Sequence, residues 1–183
     1  MVHQATQELL NWIDTLPEQE KVYALDMHEY ISSKGIKPRP NNRSYANFEY
    51  WFKGSRIMYL RVNTYRKTPL DVAIPYGLKG RYGDVDSFIA ACSDEPDNSD
   101  LIKYIIANAC YCDRCGNRNI NCGRWQEFAG VRRKMAGCHN DITKWKAPRA
   151  KLNYTEEDLH WLKRLVDVKI KQILQSNQKI PPK

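Results

Sequence analysis

The apolar positions begin with a helical period. Leu9, Leu10, Trp12, Ile13 and Leu16 recur at helical spacing, as do Val22, Leu25, Met27 or His28, and Ile31, the stripe of a helix packed on one side. Between them, Thr15-Leu16-Pro17-Glu18 has the form of a capping box with proline in the first turn. Gly35 ends the second helix, because glycine enters the left-handed conformation at low cost. The pattern predicts a helical hairpin over residues 1–36.

Residues 36–47 are rich in Pro, Arg, Asn and Ser and read as a loop. The period then drops to two. Phe48 to Lys53 and Arg56 to Asn63 flank Gly54-Ser55, which has the composition of a tight hairpin turn. Met58, Leu60 and Val62 are expected on one face of the second strand, with Ile57, Tyr59 and Arg61 on the other. Leu70, Val72 and Ile74 repeat the alternation, so residues 48–75 read as an antiparallel meander.

Glycine-spaced residues 75–83 match neither a P-loop nor a dinucleotide fingerprint and read as a connection. Helical spacing returns in Val85 to Cys92, started by Asp84, and in Leu101, Ile102, Ile105 and Ile106, capped by Ser99. Thr155, followed by three acids, opens a last helix whose apolar positions run from Leu159 to Leu174. The whole predicts one α+β domain over 1–183. An antiparallel sheet of three or four strands carries helices on one face, and residues 84–183 supply helices and a cysteine cluster.

Composition alters this picture little, but charge does. The chain has a net charge of +8 and a mean hydropathy of −0.67, with no apolar run of bilayer length. Its N-terminus lacks the basic and apolar stretches of a secretory signal, so a cytoplasmic location with no membrane partner is expected. Residues 37–83 hold 10 basic and 2 acidic groups, and 103–151 hold 11 and 3. Residues 84–102 hold 6 acids and no base. Either the basic blocks face an anionic partner such as nucleic acid, or acidic helices neutralise them within the fold.

Five of the 6 cysteines fall between Cys110 and His139. Cys112 and Cys115 frame the two-residue gap of a metal knuckle, and Cys122 and Cys138 complete a tetrahedral thiolate set, with Cys110 and His139 in reserve. The chemistry expected is a structural zinc clasp: tetrahedral zinc accepts four thiolates and then has no open position for catalysis. An iron–sulfur cluster also takes four cysteines, but the compact C-x2-C-x2-C run is absent. A redox pair at Cys112 and Cys115 lacks its usual βαβ context. Cys92, on an apolar helical face, is expected in the core.

Trp51, Tyr59 and Arg61 lie where aromatic and cationic residues interleave on the meander, a composition suited to a planar or anionic ligand. Strands also use aromatic residues simply for packing. No nucleophile–base–acid set can be assembled from the remaining residues.

The helix 101–109, Cys112-x2-Cys115, Cys122-Gly123, a basic stretch, Cys138 and a final amphipathic helix resemble the C-terminal part of certain uncharacterised bacterial cytosolic proteins. In those, a strand meander likewise precedes a cysteine cluster. The resemblance covers residues 48–175 and implies a compact α+β domain, without an activity. The expected function is a non-enzymatic binding or regulatory module with structural zinc. Its small ligand or protein partner sits on the concave side of the meander near Trp51, Tyr59 and Arg61. Nucleic-acid binding through 37–83 and 103–151 is the alternative, and a thiol-redox or iron–sulfur protein the third.

Overall fold

A computed structural model of the chain describes residues 2–41, 48–62, 70–75, 85–108, 124–128, 131–135, 141–142 and 155–178. Among these the fold is α+β. Helices α1 (Val2–Ile13) and α2 (Glu18–Ser33) form the expected hairpin. Strands β1 (Pro38–Pro40), β2 (Phe48–Phe52), β3 (Ser55–Val62) and β4 (Leu70–Pro75) make an antiparallel sheet in that order. Next come α3 (Val85–Ser93) and α4 (Asn98–Asn108), then a separate hairpin of β5 (Arg124–Phe128) and β6 (Val131–Met135). The two-residue β7 (Asp141–Ile142) pairs with the outer edge of β4, and α5 (Glu156–Gln178) closes the chain.

One main core lies between the sheet and the helices. Leu9, Ile13, Met27 and Ile31 from the first two helices meet Tyr50, Met58, Leu60, Val72 and Ile74 from the sheet. Phe88, Leu101, Ile105, Leu162, Leu165 and Val166 extend the same core through the other helices. Each fully buried aliphatic or aromatic side chain here is worth roughly 1.5–3 kcal/mol relative to exposure. Against the opposite face of the sheet, Tyr59 and Ala73 form a second, small buried cluster.

Several local expectations are corrected. Residues 36–47 contain β1, which the prolines disguised. Pro38 and Pro40 pair with Tyr50 and Phe48 at the sheet edge, where a residue without an N–H is tolerated. The hairpin turn is Lys53-Gly54, not Gly54-Ser55. Both residues have positive φ, +44° and +79°, as a turn of the primed type requires. Ile57 does not share a face with Tyr59. The register slips between Tyr50 and Trp51, so that Tyr50 opposes Met58 and Trp51 opposes Arg56. The bulge leaves Ile57 unpaired, and both Ile57 and Met58 enter the main core.

Helix starts also differ. Thr15 does not cap α2; its hydroxyl donates to the Trp12 carbonyl at 2.6 Å and closes α1 instead. Pro17 stands at the N-cap of α2 without a side-chain cap. Ser99 lies inside α4, because the Asp97 carbonyl already accepts the Leu101 amide at 3.1 Å. Thr155 does cap α5. Its hydroxyl accepts the Asp158 amide at 3.2 Å, while the Asp158 carboxylate accepts the Thr155 amide at 2.8 Å, a reciprocal box.

Candidate functional site

The second face of the sheet carries a connected polar chain. Glu49 opposes Tyr59 in the register, and Arg61 opposes Asp71. The Glu49 carboxylate accepts Asn41 Nδ2 at 3.0 Å, Trp51 Nε1 at 2.9 Å and an Arg56 Nη at 2.7 Å. The Arg56 guanidinium lies 4.8 Å from the centre of the Tyr59 ring, and that of Arg61 lies 5.5 Å from it. Arg61 donates to Asp71 at 2.7 Å. Trp51, Tyr59 and Arg61, selected from sequence, thus share one face and one network. Tyr59 and Arg61 are buried in it, however, and Trp51 alone is half-exposed.

Beside Trp51 the surface opens into a groove of about 570 Å³. Its walls are the end of α2 at Lys34 and Gly35, the β1 segment from Ile36 to Pro40, and Trp51, Phe52 and Lys53 at the β2 turn. Three features of the sequence build it. Gly35 takes φ +74°, which ends α2 and turns the chain sharply into β1. Antiparallel pairing then sets Arg39 opposite Glu49. The primed turn places Lys53 at the rim, its Nζ 5.7 Å from the Phe52 ring centre.

Among the described residues, the charged lining of the groove is Lys34, Lys37, Arg39 and Lys53, with no carboxylate. Lys34 is held by Asp167 at 2.7 Å. Both acids of the 37–83 block, Glu49 and Asp71, are bound by arginines of that block. Lys37, Arg39 and Lys53 are exposed and, among the described residues, bound by no acid, around two aromatic side chains. Lys37 and Arg39 were legible only as charge in a stretch read as loop.

The acidic 84–102 block is neutralised elsewhere. Arg164 of α5 bonds Glu95 and Asp97, each at 2.8 Å, and Lys171 reaches Glu95 at 3.0 Å. The Arg164 hydrogen bond holds the Asp97 carboxyl below its usual range. Asp26 of α2 is likewise bound to the last helix, through Lys163 at 2.7 Å. Among the described residues, the last helix answers Glu95, Asp97 and Asp26, and Lys103 of the second basic block answers Asp100 at 2.7 Å.

Three buried groups are apart from the groove. The Tyr50 hydroxyl and His28 Nδ1 share a hydrogen bond at 2.9 Å between α2 and β2. Burial pushes the His28 imidazole below its usual value and the Tyr50 phenol above its own. Lys169 is fully buried on α5, donating to Gln172 Oε1 at 2.8 Å, while Gln172 donates to Ser87 at 2.7 Å. Both residues lie in the helix stripe but were missed because they are polar. Cys92 is buried as expected, and burial pushes its thiol up to about 12.

Cys110, Cys112, Cys115, Cys122, Cys138 and His139 lie outside the described residues, as do residues 76–84, which include most of the expected connection and Asp84, the expected start of α3. Among the described residues no group of three His, Cys, Asp or Glu side chains is placed to hold a metal. No helix among them is long and apolar enough to cross a membrane. The basic stretch between Cys122 and Cys138 is the β5–β6 hairpin, in which Arg124 pairs with Met135. Comparison with protein-family models, curated proteins and solved structures finds no match.

Proposed function

We propose that this chain is a non-enzymatic binding module whose ligand is nucleic acid. The observation that carries it is the groove of Lys37, Arg39 and Lys53 around Trp51 and Phe52, with no carboxylate among the described residues of its lining. Cations set along an edge suit the phosphates of a strand, and the aromatic rings suit its bases. A purely structural basic block would have its charges answered by nearby acids. Here the acids of the block are already bound to Arg56 and Arg61.

A zinc clasp held by Cys112, Cys115, Cys122 and Cys138 remains part of this reading. The β5–β6 register supports it. Arg124 and Met135 are paired neighbours, so the chain leaves the two strands side by side, two residues after Cys122 and three before Cys138. The zinc is structural, and the nucleic acid is bound by other residues. Elemental analysis of the purified protein tests the clasp, with one zinc per chain expected; iron and a brown colour would replace zinc with a cluster.

Binding of labelled oligonucleotides tests the main reading. Affinity should fall steeply between about 50 and 200 mM salt. The triple variant Lys37→Gln, Arg39→Gln, Lys53→Gln should bind more weakly, its log–log salt slope shallower by about 2 units, since three contacts contribute about 0.7 each on a single strand. Absence of binding at the lowest salt would overturn the proposal.

A further inference from the structure

The β5–β6 hairpin presents a second feature that the groove does not use. Among the described residues only Val22 and Trp125 are large apolar side chains left exposed, and Trp125 is 59% exposed. A tryptophan is the largest apolar side chain a protein has, and a packed core normally takes it up. The Arg132 guanidinium sits over its ring, 5.1 Å from the centre. Arg132 belongs to β6, two residues before Lys134, which stands opposite Trp125 in the register. In sequence, residues 124–135 carry four bases, Arg124, Arg132, Arg133 and Lys134, and one acid, Glu127.

We infer that this hairpin is a base-stacking platform for single-stranded nucleic acid, with Trp125 as the stacking surface and Arg132 as its cationic guide. The inference rests on the nucleic-acid reading above and adds which form of nucleic acid is bound. A paired base keeps its faces stacked inside the duplex, where an indole cannot reach them, whereas an unpaired base offers a π-face to any exposed ring. The guanidinium holds the indole by a cation–π contact, so the ring is set in place before a base arrives. A short antiparallel ribbon fixes its side chains better than a loop does, because cross-strand register sets where each stands. The positive balance of the ribbon draws the phosphates of the same strand alongside.

The experiment compares three probes of about 12 nucleotides on the full chain: a single strand, an abasic strand of the same phosphate count, and a duplex. Trp125→Ala should weaken single-strand binding by roughly 5- to 150-fold, the loss expected for one stacked base. It should leave abasic-strand and duplex affinity unchanged. Trp125→Phe should recover most of the loss, and Arg132→Gln should weaken the single strand with a shallower salt slope. Circular dichroism of each variant should match the parent, because both side chains are exposed. Single-strand affinity unchanged in Trp125→Ala, while the triple groove variant binds weakly, would sink the platform and leave the groove reading standing. No binding of any probe would sink both.

Discussion

Arg61 and Asp71 face each other across β3 and β4 with 2.7 Å between charged atoms, their side chains only 10% and 2% exposed. An ion pair so far from water is held by its partners, not by solvent. Removing one member strands the other. Asp71→Ala is therefore expected to cost about 3–5 kcal/mol, read as a lower urea midpoint. The double variant Arg61→Met, Asp71→Leu should recover most of that loss, because an apolar pair of similar size needs no counter-charge. A single-variant loss below about 1 kcal/mol would show that the pair is hydrated.

The His28–Tyr50 contact predicts a pH dependence. Burial lowers the folded-state value of His28 from 6.5, with Glu29 opposing weakly. The unfolded chain therefore takes up its proton first as pH falls. Stability from this group is complete above about pH 6.5 and declines below it, until the folded imidazole also titrates. Urea midpoints at about pH 7.5 and 5.5 should differ in the parent and converge in His28→Gln.

Asp97 titrates in a separate window. The Arg164 hydrogen bond lowers its value below 3.8, so its contribution is present above that pH and is lost as pH falls through the folded value. Arg164→Ala should remove this acid-side slope and lower stability near neutrality by roughly 1 kcal/mol, less at high salt. An unchanged acid transition in that variant would remove Asp97 from the account.

Lys53 sets stability against binding. Its φ of +44° lies in the left-handed region, where a side chain is strained by about 1 kcal/mol. Lys53→Gly is expected to leave the turn intact and raise stability by about 0.5–1 kcal/mol, while weakening oligonucleotide binding. Gly54→Ala, at φ +79° with open space around the position, should cost about 1 kcal/mol through the backbone alone. Thermal scans and salt titrations of the two variants check both statements.

The burial of Cys92 is checked by alkylation. With its thiol pushed up to about 12, Cys92 should stay unmodified by iodoacetamide in the native protein and react only in denaturant.

Much of the helical frame was legible because period and punctuation agree there: Gly35 at the end of α2, Thr155 at the start of α5, and apolar stripes in the helices, except that in α2 Val22 is exposed and Ala24, Met27, His28 and Ile31 are the buried positions. The meander was legible from alternation. What sequence hid has physical causes. Alternation cannot announce a bulge, so Ile57 was assigned to the wrong face. Two prolines in three residues look like loop, although the edge of a sheet accepts them, and with β1 hidden the groove could not be assembled. Only Trp51 of the groove was chosen as a ligand residue. In β5–β6 the arginines masked a strand pattern, and in α5 a lysine and a glutamine stood where the stripe predicts apolar side chains.

The short first strand carries one more consequence. Pro38 and Pro40 leave β1 with a single backbone N–H among its three residues, that of Arg39. Another chain seeking to add itself to this border would find almost no donors and a cation in its way. The sheet is therefore guarded at that border against growing into fibrils or recruiting stray β segments.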